Sequence, residues 1–221
     1  MKKLMLMIAV IFCGAVLVSA QGQDKAAAPA AQPEKKPLDQ WTFFQLGFFP
    51  NFPEGTKNSN VYGLKLGAPM VSGYGRVYGI EPSLLYSGTD YINGIQATWV
   101  GPSICKETYG IQAAWFGPTI AKTVYGIQAS CAVNIADEVI GFDPGLVCIT
   151  KNITGFQASA VNISDKVTGF QASAVNVVRE ELKGVQLGVV NYSKKSGCQF
   201  GLINIIEDGA LPFTIIFNIK F

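Results

Sequence analysis

The chain has 221 residues, of which 49% are hydrophobic and only 14% are charged, and it contains 24 glycines and no histidine. This length suffices for one domain with a sizeable core. The lack of histidine excludes His-based catalytic triads and His-ligated metals. We predict no catalytic, cofactor-binding or metal-binding residues.

The first twenty residues are predicted to be a signal peptide. Lys2 and Lys3 precede an apolar run over residues 4–18, and residues 18–20 (VSA) offer a small-residue cleavage site. We expect cleavage after Ala20. Without Lys2 and Lys3 the chain has 15 basic and 15 acidic residues, and this neutral balance gives no reason to expect a nucleic-acid partner.

The rest of the chain divides into a tail and one domain. Residues 21–38 are rich in Ala, Pro, Gln and Lys and lack aromatic residues, which is typical of a flexible tail. Residues 39–221 are predicted to form a repeat-built β domain. No further run of 18 or more apolar residues exists, so transmembrane helices are not expected.

A tandem repeat dominates the domain. Each repeat begins at a glycine, and ten such glycines follow one another at intervals of 13 to 16 residues, at positions 63, 79, 94, 110, 126, 141, 155, 169, 184 and 197. The first, third and fifth residues after each glycine are apolar with few exceptions, while the fourth is small. The second is always polar: Lys65, Glu81, Gln96, Gln112, Gln128, Asp143, Gln157, Gln171, Gln186 and Gln199.

This alternation predicts one β-strand per repeat, with an apolar face and a small, polar face. Charged residues fall between these segments, and we expect recurrent asparagines to lie at the turns: Asn134, Asn162, Asn176, Asn191 and Asn204. Residues 43–49 and 213–221 alternate in the same way. Ten repeats and two flanking strands give twelve, an even number, as in closed bacterial barrels.

Two resemblances accompany this pattern. The last strand ends in alternating apolar residues (Phe217, Ile219, Phe221) and resembles the C-terminal signature of outer-membrane β-barrels, which implies recognition by the barrel-assembly machinery. Residues 184–191 (GVQLGVVN) and 197–204 (GCQFGLIN) resemble bacterial surface proteins with tandem G-L-Q-I-G-L-x-N repeats. That resemblance implies a location in the cell envelope and brings no activity.

The main fold hypothesis is therefore an all-β antiparallel meander closed into an outer-membrane barrel of about 12 strands. Its apolar face would contact the lipid bilayer, and the ten polar residues would line a lumen that passes small polar solutes, as in a porin. Glu81 and Asp143 have no recognisable acid–base partners, so an enzyme is not expected.

The alternative fold is a β-solenoid of 14–16-residue coils with its apolar face inside. Its outer surface would then be Gly, Gln, Ser and Ala with hardly any charge, which is unusual for a surface in water. The alternative function is a structural or adhesive surface-repeat protein without transport.

Overall fold

A computed structural model describes residues 41–220 of the chain. The predicted signal peptide, the predicted tail and Phe221 lie outside the described residues. The described part contains twelve strands and one short 3₁₀ helix, Glu54–Thr56. The strands are β1 (Trp41–Gly47), β2 (Asn60–Gly67), β3 (Met70–Ser83), β4 (Tyr86–Thr98), β5 (Ser103–Ile104), β6 (Glu107–Ala114), β7 (Thr119–Ser130), β8 (Val133–Pro144), β9 (Val147–Ala158), β10 (Val161–Ser193), β11 (Gly197–Ile206) and β12 (Phe213–Lys220).

Successive coils of the chain stack as a parallel β-solenoid. Pairing is parallel throughout from β1 to β11, and only β12 pairs antiparallel, with β11. The predicted all-β repeat fold is confirmed, but the predicted antiparallel barrel is wrong and the solenoid alternative is supported. Each repeat forms one coil that pairs with the coils before and after it, so within residues 41–220 no closed ring of strands encloses a lumen.

The repeat glycines form a column along the solenoid. Gly110 pairs with Gly126, and Gly126 pairs with Gly141, so the register places each glycine directly on the next. All ten have φ between +127° and +153°, where L side chains are rarely found. A Cβ added at Gly126 would also overlap the carbonyl oxygen of Gly110. The glycines therefore make the tight corner that every coil needs.

The polar face of each repeat lies inside the solenoid and the apolar face lies outside. The ten polar residues that follow the glycines by two positions are all fully buried. Large apolar side chains on the other face are exposed, including Trp99 (60%) and Trp115 (59%). The prediction that a solenoid would enclose its apolar face is thus wrong. The polar residues predicted to line a lumen instead fill a close-packed interior, because the barrel that would have enclosed a lumen does not form.

A second interior column is apolar. In eight of the ten repeats it is formed by the residue two positions before the glycine, such as Val124, Val139, Ile153 and Val167, which are at most 2% exposed. These residues belong to one continuous cluster of buried side chains. The solenoid is therefore held together by an apolar column on one side of its interior and by hydrogen-bonded polar columns on the other.

Both predicted flanking strands are present, as β1 and β12. Phe217 and Ile219 lie on β12 and are each 42% exposed. Ile216, directly before Phe217, has φ +75° and marks an irregularity within the strand. The role of Phe217, Ile219 and Phe221 as an assembly signal stays a prediction.

Candidate functional site: an apolar surface on a polar core

A ladder of amides runs through the last coils. Gln171 Nε2 donates to Gln157 Oε1 (2.6 Å), Gln186 Nε2 donates to Gln171 Oε1 (3.0 Å), and Gln199 Nε2 donates to Gln186 Oε1 (2.8 Å). An amide carries both donors and an acceptor, so identical residues stacked at the spacing of strands satisfy one another. The in-register repeat therefore allows these buried amides to hydrogen-bond to one another from coil to coil.

The recurrent asparagines form a ladder parallel to the glutamines, and they lie within strands rather than at the turns where they were predicted. Asn162 Nδ2 donates to Asn176 Oδ1 (3.0 Å), and Asn176 and Asn191 continue the chain to Asn204 (both 2.9 Å). Asn134 and these four asparagines are fully buried. Each also donates to a backbone carbonyl, as Asn191 does to Phe200 O (2.8 Å). Sequence reasoning missed this column because asparagine is also a frequent turn residue.

Asp143 stands at the head of the glutamine ladder. Its carboxylate accepts hydrogen bonds from Gln157 Nε2 (3.0 Å), Asn134 Nδ2 (2.7 Å) and Thr150 Oγ1 (3.1 Å). Burial raises the pKa of Asp143, and these hydrogen bonds offset that shift in part. Every group that contacts this carboxylate is neutral. The surroundings of Asp143 are therefore those of a structural residue in the ladder rather than those of a catalytic acid.

The other buried charges form one network in the early coils. Lys65 Nζ lies 3.7 Å from Glu81 Oε2 and donates to Thr89 Oγ1 (2.7 Å), and the Thr89 hydroxyl donates to Glu81. Gln96 Nε2 donates to the second carboxylate oxygen (2.9 Å). Burial raises the pKa of Glu81 and lowers that of Lys65, while their mutual attraction opposes both shifts. The structure thus joins Lys65, Glu81 and Gln96 and keeps Asp143 separate.

We expect Gln171→Leu to lower the free energy of unfolding by about 1–3 kcal/mol, because it removes a donor from Gln157 and the acceptor of Gln186 inside a dry core. Urea unfolding followed by circular dichroism measures the change. Thr168→Ala, on the exposed outside of the same coil, is the matched control and should stay within about 0.5 kcal/mol of the parent. A Gln171→Leu protein as stable as Thr168→Ala would contradict a structural role for the ladder.

The outer face built from the first, third and fifth positions of the repeat, here called face A, carries a groove. Its floor is made of small residues such as Ala97, Ala113 and Ala129, and one wall is made by Trp99 and Trp115. The groove has a volume of about 690 Å³, and no residue that lines it is charged. The two tryptophan rings stack with their centroids 6.0 Å apart.

A second apolar surface, here called face B, follows the next corner of each coil. It is a half-buried ladder of outward valines and isoleucines: Val133, Ile135, Val147, Ile149, Val161 and Ile163. The corner that joins face A to face B is also apolar, and we call it the apolar edge. Its exposed members include Leu84, Trp99, Val100, Trp115, Phe116 and Leu146.

Charged side chains are concentrated at the far end of face B, along what we call the charged edge. It comprises Lys122, Asp137, Glu138, Lys151, Asp165, Lys166, Arg179 and Glu180. Opposite charges on successive coils pair: Lys151 Nζ lies 2.7 Å from Asp137, Lys166 Nζ 3.4 Å from Glu180, and Arg179 Nη1 3.6 Å from Asp165. These exposed pairs contribute little stability but leave the edge close to neutral.

Within residues 41–220, no cluster of three or more His, Cys, Asp or Glu side chains that could hold a metal ion is found. No helix among the described residues is long and apolar enough to span a membrane. The features that offer a binding surface are therefore face A, its groove and the apolar edge. The sequence identified these residues as the apolar positions of the repeat. Only the solenoid shows that they lie together on one outer surface.

Fold and surface together define a tandem-repeat β-solenoid with a polar, hydrogen-bonded interior and an apolar exterior. Comparisons with known protein families, with curated proteins and with solved structures found no match.

Proposed function

We propose that the chain is an exported, non-catalytic repeat protein that serves the bacterial cell envelope as a structural or adhesive element. The observation that carries this proposal is face A, an uncharged apolar surface repeated on coil after coil along the solenoid. Solenoids are well suited to such a role, because stacking identical units produces an extended binding surface. We propose the outer membrane as its location, consistent with the signal peptide and the envelope resemblance predicted from the sequence.

The buried acids support a role without catalysis. Glu81 and Asp143 are both fully buried, and each is held by three or more hydrogen-bond or ion-pair partners inside the solenoid. A substrate reaching either carboxylate would have to open the stacked coils. Porin-like passage of solutes is not proposed, because it depended on the lumen of a barrel.

We expect a strain that lacks the chain to attach less well to hydrophobic surfaces or to become more sensitive to detergents, while fractionation places the parent chain with the outer membrane. Complementation with the parent should restore the phenotype, and complementation with a Trp99→Ser/Trp115→Ser double variant should not. Attachment to polystyrene and survival in bile salts measure the two effects.

The matched control is a Lys122→Ser/Lys151→Ser double variant, which changes two exposed residues of the charged edge and should complement fully. Recovery of the chain from the cytoplasm, or a deletion strain that behaves as the parent in both assays, would contradict the proposed function.

A further inference from the structure

The apolar exterior of the solenoid continues around the apolar edge. Face A lies on one side of this edge and face B on the other, and both are apolar over many coils. In cross-section the described coils therefore resemble a wedge whose tip and two flanks are apolar and whose blunt end carries the charges. Because the apolar surface is continuous, a partner that covers all of it must contact both faces and the edge between them.

A second copy of the chain could cover face A by packing against it, but it would leave the edge and face B in water. A typical protein interface also contains about ten direct hydrogen bonds and a polar rim. The outward side chains of face A include alanine, proline, isoleucine and phenylalanine, which offer no such partners. A fluid apolar phase, in contrast, can surround both flanks and the tip together.

The tip carries the residues that favour a membrane interface. Trp99 and Trp115 are 60% and 59% exposed and stack on each other along the edge. Tryptophan is enriched where hydrocarbon meets lipid headgroups, because its ring is apolar and its N–H remains a hydrogen-bond donor. The charged edge pairs its positive and negative groups across coils, so neutral, zwitterionic lipid suits this surface as well as anionic lipid does.

We propose that the solenoid lies along a lipid surface, with the apolar edge and its two flanks inserted at the boundary between headgroups and acyl chains and the charged edge in water. This is an interfacial arrangement, in which an amphipathic element lies in the plane of one leaflet. The inference rests on the proposed function, since it names the partner of the same apolar surface.

Flotation with phosphatidylcholine vesicles tests the proposal on the full chain. A Trp41→Phe background leaves Trp99 and Trp115 as the only tryptophans. We expect the protein to float with the vesicles, its fluorescence to shift to shorter wavelength, and lipids brominated on the upper acyl chain to quench it. Alkylation of the exposed Cys131 by a hydrophilic maleimide, in a Cys198→Ser background, should slow by about tenfold or more when vesicles are added.

Single charges on the two sides of the solenoid provide the matched comparison. Ala113→Glu places a carboxylate on the floor of the groove in face A, and we expect it to weaken vesicle partitioning by about tenfold or more. Asn152→Glu places the same group on the exposed corner beside the charged edge and should partition as the parent does. Thermal unfolding of both variants verifies that they remain folded.

Two results would overturn the inference. One is flotation of Ala113→Glu equal to that of the parent. The other is a parent chain that ignores vesicles and forms a dimer that Ala113→Glu dissociates, which would make a second copy the occupant of face A. Either result leaves the proposed function standing if the deletion strain shows its envelope phenotype. Conversely, a protein that floats with vesicles but whose deletion causes no phenotype would support lipid binding and contradict the proposed function.

Discussion

Gly126→Ala is expected to destabilise the solenoid by roughly 3 kcal/mol or more. Gly126 has φ +134°, which a residue with a Cβ adopts only under strain, and the new Cβ would overlap the carbonyl oxygen of Gly110. Because Gly141 stacks on the other side in the same way, neither neighbouring coil can move to relieve the overlap.

Urea unfolding followed by circular dichroism measures this effect. The matched control is Gly55→Ala, since a Cβ at Gly55 meets no atom within 4 Å. We expect that variant to stay within about 0.5 kcal/mol of the parent. Equal stability of the Gly126→Ala and Gly55→Ala proteins would show that the glycine column is not the corner on which the coils stack.

The sequence was sufficient to predict the repeat, the strands, the two flanking strands and the separation of polar from apolar faces. It was not sufficient to predict how successive strands pair. Alternation of polar and apolar residues describes a strand in either an antiparallel barrel or a parallel solenoid, because both give the strand two different faces. The deciding information is the contact between coils, such as Gln171 on Gln157, which no single repeat contains.

The prediction of which strand face lies inside the solenoid was wrong for a related reason. Glutamine and asparagine are costly to bury singly, so a polar face is normally expected in water. Stacked in register, Asn176 donates to Asn191 and Asn191 donates to Asn204, and the cost of burial largely disappears. The recurrence of glutamine at one position in seven of the ten repeats was the signal that could have indicated this interior, because identical amides stacked in register form ladders.

Asp143 interrupts that recurrence, and its replacement by the residue of the neighbouring coils should stabilise the protein. We expect Asp143→Gln to raise the free energy of unfolding at pH 7 by about 1–3 kcal/mol. The carboxylate is fully buried and receives hydrogen bonds only from neutral groups. Gln128 and Gln157 occupy the equivalent positions of adjacent coils, so a glutamine fits the ladder and accepts from Gln157 in the same direction.

The stabilisation should depend on pH with a definite sign. Burial raises the pKa of Asp143 above its ordinary value of 3.8, so the folded chain holds this proton more tightly than the unfolded chain does. The parent therefore loses stability as the pH rises from 3.8 through the raised folded pKa, whereas Asp143→Gln lacks this loss. The difference between the two proteins should thus be small near pH 3 and largest at neutral pH. Lys65 and Glu81 are present in both proteins, so their contributions to the pH dependence of stability cancel in the comparison.

Urea unfolding at intervals between pH 3 and pH 8 measures the difference. Asp137→Asn, which removes an exposed carboxylate paired with Lys151, is the matched control and should change stability by less than about 1 kcal/mol over the same range. A difference between the parent and Asp143→Gln that stays constant with pH would mean that Asp143 keeps an ordinary pKa in the folded chain. A less stable Asp143→Gln at pH 7 would mean that the carboxylate contributes interactions that an amide cannot replace. The expected outcome makes Asp143 the weakest position of the ladder at neutral pH, and it places the cause in the desolvation of one charge whose hydrogen-bond partners are all neutral.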